Sequence, residues 1–114
     1  MRFFVYEITR LIITPVFLII LSRDIHYRLY KPGDEEIIVE LLGEAFEGWP
    51  KLNVDPVDYW RWKYIDNPFG RNSVSLALKG DRIVGCKHTV YFNLKVGDDV
   101  LDCNLGSDLA VHGD

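Results

Sequence analysis

The chain has 114 residues, enough for one small domain and no more. Hydrophobic residues make up 48% and charged ones 26%, an ordinary globular balance that excludes wholesale disorder. The net charge is −4 with no basic block, which argues against a nucleic-acid partner.

Two cysteines, Cys86 and Cys103, and three scattered histidines form neither a CxxC nor an HExxH arrangement, so no metal site is expected. Residues 3–21 are strongly apolar, but Glu7 and Arg10 interrupt them. The clean run, 11–21, contains Pro15 and is about half of the ~20 residues a membrane helix needs. Three readings stand: an anchor or uncleaved signal, a helix packed on the domain, or an extension (1–24) ahead of a domain spanning 25–114.

Residues 25–30, Ile-His-Tyr-Arg-Leu-Tyr, alternate as a strand and stop at Lys31-Pro32-Gly33-Asp34. Asp34 is placed to cap a helix, with Glu35 and Glu36 in its first turn. Ile37, Ile38, Leu41, Leu42, Ala45 and Phe46 recur at helical spacing, and Pro50 disfavours helix at Trp49. Asp55-Pro56 starts a second helix over 57–65. Trp60 and Tyr64 share one face of it, Tyr59 and Trp62 another. These rings either pack the helix on a sheet or, with Trp49, line a substrate pocket.

A meander follows. Residues 73–79 form a strand, Gly80-Asp81 a hairpin turn, 82–96 a long strand, Gly97-Asp98 a second turn, and 99–112 a last strand. With Gly97-Asp98 as a two-residue loop, Leu94 faces Leu101, Phe92 faces Cys103, Val90 faces Leu105, His88 faces Ser107, Cys86 faces Leu109 and Val84 faces Val111. That face is apolar except at His88–Ser107; a one-residue slip destroys the pattern, whereas a two-residue slip with a longer loop keeps it. The cysteines then lie six residues apart along the ladder, or ~20 Å, too far for a disulfide. Free thiols imply a reducing compartment. The other face carries Lys87, Thr89, Tyr91, Asn93 and Lys95 against Asp102, Asn104, Asp108 and His112.

These pieces resemble the GNAT superfamily of N-acetyltransferases. The matching segments are Tyr27-Arg28-Leu29-Tyr30 leading into the Ile/Leu helix, Trp60-Arg61-Trp62-Lys63-Tyr64-Ile65-Asp66-Asn67-Pro68-Phe69-Gly70, Asp81-Arg82-Ile83-Val84-Gly85, and Leu105-Gly106-Ser107-Asp108-Leu109-Ala110-Val111. The resemblance implies an α+β fold: a strand, two helices, then an antiparallel three-strand meander, the N-terminal half of the family's domain. It implies acetyl-CoA as co-substrate, with backbone groups of Leu109, Ala110 and Val111 binding its acyl and pantetheine portion. An Arg/Gln-x-x-Gly-x-Gly/Ala loop at a helix N-terminus normally follows and binds pyrophosphate; the 114 residues hold none.

The chemistry so implied is attack of an amine on a thioester, which needs a base and oriented amides. Asp108 is the candidate base, with Asp102 and Asn104 on its strand face as holders of a water. Trp49 and Trp60 are the candidate substrate-binding residues. The expected function is a fragment of an N-acetyltransferase acting on a small-molecule or protein amine, inactive as this chain. The alternative is a ligand- or partner-binding module using the aromatic cleft, without catalysis. The expected location is cytoplasmic, or membrane-anchored through residues 3–21.

Overall fold

The structure is a computed structural model and describes residues 24–70 and 72–113. The readings of residues 3–21 as anchor or extension lie outside the described residues. Six elements follow one another: β1 (Ile25–Leu29), α1 (Glu35–Ala45), α2 (Pro56–Tyr64), β2 (Ser73–Lys79), β3 (Arg82–Val96) and β4 (Asp99–Val111). They build an α+β fold with one antiparallel sheet in the order β1-β2-β3-β4. β1 pairs with β2 from Ile25↔Lys79 to Leu29↔Ser75, a contact that sequence reading left open. No helix among the described residues is long and apolar enough to cross a membrane.

Both helices lie on one face of the sheet. Ile38, Val39, Leu41 and Leu42 of α1 and Trp60 and Tyr64 of α2 are buried with Val74, Leu76 and Leu78 of β2, Ile83 and Cys86 of β3, and Ala110 of β4. The i, i+4 spacing of Trp60 and Tyr64 puts both rings on the core side, while Trp62 is 64% exposed.

Helix ends follow two rules. Asp55 caps α2 as expected, its carboxylate accepting from Asp58 N–H at 2.9 Å, with Pro56 in the first turn. Asp34 does not cap α1. Its carboxylate instead takes a two-point contact from the Arg28 guanidinium (2.7 and 3.0 Å) and the Lys31 N–H (2.8 Å), because Arg28 on β1 outcompetes the helix amides. α1 stops before Trp49-Pro50: Glu47 turns left-handed (φ 53°) and Gly48 N–H closes back on Gly43 O at 2.7 Å.

The β3–β4 hairpin keeps the expected register from Val96↔Asp99 to His88↔Ser107. It then breaks. Cys86 pairs with Ala110, not Leu109, and Gly85 with Val111. One extra residue is accommodated on β4 where Asp108 adopts φ 45°. Side-chain parity therefore reverses at Asp108. Asp108, Ala110 and His112 turn to the helix side, and Leu109 and Val111 turn away. The expectation that Asp108 shares the solvated face with Asp102 and Asn104 is corrected by this bulge. Beyond Val90 the hairpin projects past the helices, leaving Leu94, Val96, Leu101 and Leu105 exposed. Both cysteines are free, as the register requires.

Candidate functional site

The bulge gathers a polar cluster under α2. Asp108 Oδ2 accepts from Lys63 Nζ at 2.9 Å and from the Tyr64 hydroxyl, and Oδ1 accepts from Trp49 Nε1 at 3.1 Å. Ser107 Oγ lies beside it, 3.4 Å from Lys63 Nζ and 3.3 Å from the Tyr64 hydroxyl. Lys63 and Tyr64 are consecutive at the end of α2, so the same helical turn delivers an ammonium and a phenol to one carboxylate. Asn72 fixes that turn. Its amide donates to the carbonyls of Lys63 and Tyr64 (3.3 Å each), and its own oxygen accepts from Tyr91 N–H of β3 at 3.1 Å.

Beneath the cluster lies His88, wholly buried. Trp60 Nε1–H donates to its Nε2 at 2.9 Å. An indole N–H only donates, so the imidazole proton sits on Nδ1, which donates to the Asp108 carbonyl at 2.9 Å. The Tyr64 ring stacks on the imidazole at 4.1 Å. Every polar atom of this stack has a partner.

Electrostatics follow from these contacts. Burial alone raises the Asp108 carboxyl, but the hydrogen bonds from Tyr64, Lys63 and Trp49 outweigh it and hold it below the ordinary carboxylate range. Burial, then the bond to Asp108, pushes the Tyr64 phenol far above its usual range. Burial lowers the His88 imidazole to about 4, against the opposing pull of the Asp108 carbonyl, so it is neutral at pH 7. Burial likewise pushes the Cys86 thiol up to about 12, which makes it an unreactive core side chain.

The remaining candidates divide. Trp49 reaches Asp108 and packs edge-on against Tyr59 at 5.4 Å, and Tyr59 meets Trp62 at 5.7 Å. Trp60 is fully buried and supports the cluster from behind rather than facing an open cleft. Asp102 and Asn104 pair with Asn93 and Tyr91 further up the hairpin and do not join Asp108.

Leu109, Ala110 and Val111 line a shallow, almost wholly apolar groove of about 160 Å³ with Tyr27, Ala77 and Gly85, on the face away from the helices. β4 is an edge of the described sheet. Because His112 N–H donates to Val84 O at 2.7 Å, antiparallel alternation turns the N–H and C=O of Val111 to the outer edge. The edge thus sets outward backbone groups beside an apolar trough, open to a hydrogen-bonding chain with apolar segments. A second cavity, about 190 Å³, opens between α1 and His112 and touches none of the cluster. Among the described residues no group of three His, Cys, Asp or Glu is placed to hold a metal.

Lys63, Tyr64 and His88 were not singled out by sequence as site residues. One signal was present: His88–Ser107 is the only polar pair on the hairpin's apolar face, and the site forms there.

No protein-family model matches the chain, and no curated protein matches it. Among solved structures it is similar to a crystal structure described as a predicted acetyltransferase with acetyl-CoA from Clostridium acetobutylicum. The likeness has a TM-score of 0.60 at 11% identity and covers 78% of this chain and 60% of that one. The chain thus spans about 60% of that neighbour's length. At this identity the likeness shows the fold alone, shared with that predicted acetyltransferase.

Proposed function

We propose that the chain is the acyl-carrier-binding, N-terminal half of a GNAT-type, acetyl-CoA-dependent N-acetyltransferase. The observation that carries this reading is the bulge at Asp108 in an edge strand. That single irregularity aims a carboxylate into a cluster with Lys63, Tyr64 and Trp49, and leaves Val111 with outward backbone groups three residues on. The shared acetyltransferase fold supports it.

In this reading, the outward backbone groups of Val111, with Leu109 and Ala110 lining the adjoining groove, hold the acyl and pantetheine portion of acetyl-CoA. The thioester then lies near Asp108, and an amine, on a small molecule or a protein, approaches past Trp49. The ammonium first loses one proton; the neutral amine then attacks the thioester carbonyl, the C–S bond breaks, and the second nitrogen proton passes through water to the departing thiolate, leaving the amide and CoA thiol. Asp108 is ionised at neutral pH and attracts that ammonium. Its low pKa suits it to orient the cation and to pass the proton to water more than to keep it.

The 114 residues contain no Arg-x-x-Gly-x-Gly segment, so we infer weak binding and no turnover by this chain alone. A specific observation favours one competing reading. The Trp49–Tyr59–Trp62 row, with Trp62 exposed, suits a ligand- or partner-binding module with no catalysis.

Calorimetric titration tests the proposal. Acetyl-CoA is expected to bind with Kd of about 0.1–1 mM, and Val111→Pro, which removes an outward N–H while an edge strand tolerates proline, is expected to weaken it further. Absence of binding at millimolar acetyl-CoA overturns the acyl-carrier reading. Micromolar binding with turnover overturns the inference that these residues are an incomplete site.

A further inference from the structure

A bulge can be built by many sequences, and at Asp108 it is built without glycine. A non-glycine residue at φ 45° costs energy of its own and persists only where its surroundings fix it. The surroundings here are two aromatic side chains in series. Trp60 Nε1–H bonds His88 Nε2, and His88 Nδ1–H bonds the carbonyl of Asp108, each at 2.9 Å, with both rings wholly buried. Cys86 Sγ stands 3.9 Å from the same carbonyl, too weak a donor to replace the imidazole. The carbonyl that the bulge removes from regular pairing is therefore satisfied by a side chain on the neighbouring strand.

We propose that His88 is a positioning residue for the candidate site: held by Trp60, it clamps the Asp108 carbonyl and so fixes the bulge that aims the Asp108 carboxylate at Trp49, Lys63 and Tyr64. The inference deepens the reading above and rests on it only for the purpose the carboxylate serves. The imidazole itself touches no open surface and is not a catalytic residue. Its Nδ1 tautomer is set from α2 by the Trp60 indole, so the helix that supplies Lys63 and Tyr64 also sets the strand conformation that receives them. The charged and titratable groups around the ring are Asp108, Lys63, Tyr64 and Cys86.

Carboxyl carbon NMR of Asp108 across pH, with no acetyl-CoA present, tests this separately from the functional reading. Wild type is expected to titrate below the ordinary carboxylate range. His88→Leu keeps the bulk and loses the clamp, so the Asp108 pKa should rise by about one unit or more, a tenfold change in proton affinity. The Trp49 indole N–H should move with it. His88→Asn retains an N–H near the Nδ1 position and should stay within about half a unit of wild type. A folded His88→Leu whose Asp108 titration and Trp49 signal match wild type overturns the proposal and makes His88 core filling only. If His88→Leu does not fold, Trp60→Phe decides: it removes the indole donor and narrows the ring while keeping an aromatic side chain there, and an unchanged Asp108 titration overturns the clamp, whereas a rise supports it.

Discussion

At the scale of single residues, the chain commits an unusual resource, a fully buried histidine, to one backbone carbonyl. That choice has a pH signature. The unfolded imidazole titrates near 6.5 and the folded one at about 4, so below pH 6.5 the unfolded state binds a proton that the fold refuses. Stability contributed by neutral His88 is fully present above 6.5 and is lost as pH falls toward 4, an upper bound of about 3 kcal/mol. Asp108 acts in the same direction at lower pH. Its folded pKa lies below the ordinary value, so its contribution is present above that value and disappears as pH drops through the folded one. Thermal melts from pH 8 to pH 4 should show Tm falling below 6.5 in wild type and a shallower fall in His88→Asn. A flat profile in wild type contradicts the buried neutral imidazole. None of this was readable from sequence, where His88 was one polar residue on an apolar face.

Element by element, most of the fold was legible because local rules agreed. Asp55-Pro56 started α2, and Gly80-Asp81 and Gly97-Asp98 closed the two hairpins at the expected residues. Period-two alternation set the β3–β4 register as far as His88–Ser107. On the last hairpin, what failed did so for one reason. Regular alternation extrapolates, and a bulge made by Asp108 gives little warning, since aspartate enters the left-handed region more readily than most residues but does not require it. The slip of one residue moved Asp108 from a solvated face to the buried cluster, separated it from Asp102 and Asn104, and brought it to Lys63 and Tyr64. Past the bulge's far side, the bare hairpin tip is a liability. Leu101 and Leu105 are 48% and 60% exposed on the strand at the sheet's edge. Leu101→Lys with Leu105→Lys should reduce self-association in sedimentation experiments while changing stability by about 0.5 kcal/mol or less per site. Unchanged association with these two lysines in place shows that the tip is not the contact.

At the scale of the fold, among the described residues two helices cover one sheet face, and the opposite face holds the shallow groove beside Leu109 and Val111. The fold is similar over 78% of the chain to that of the predicted acetyltransferase. Composition and periodicity reached the order of the elements; the pairing of β1 with β2 and the meeting of α2 with β4 depend on contacts between distant residues that local patterns do not encode. The proposed function puts an acyl carrier along the β4 edge after the bulge. The most direct measurement is amide NMR of the chain titrated with acetyl-CoA. The largest shifts are predicted at Leu109, Ala110 and Val111, with a smaller response at the Trp49 indole. Shifts confined to the indoles of Trp49 and Trp62, with the β4 amides unmoved, contradict the claim and favour the aromatic binding module instead.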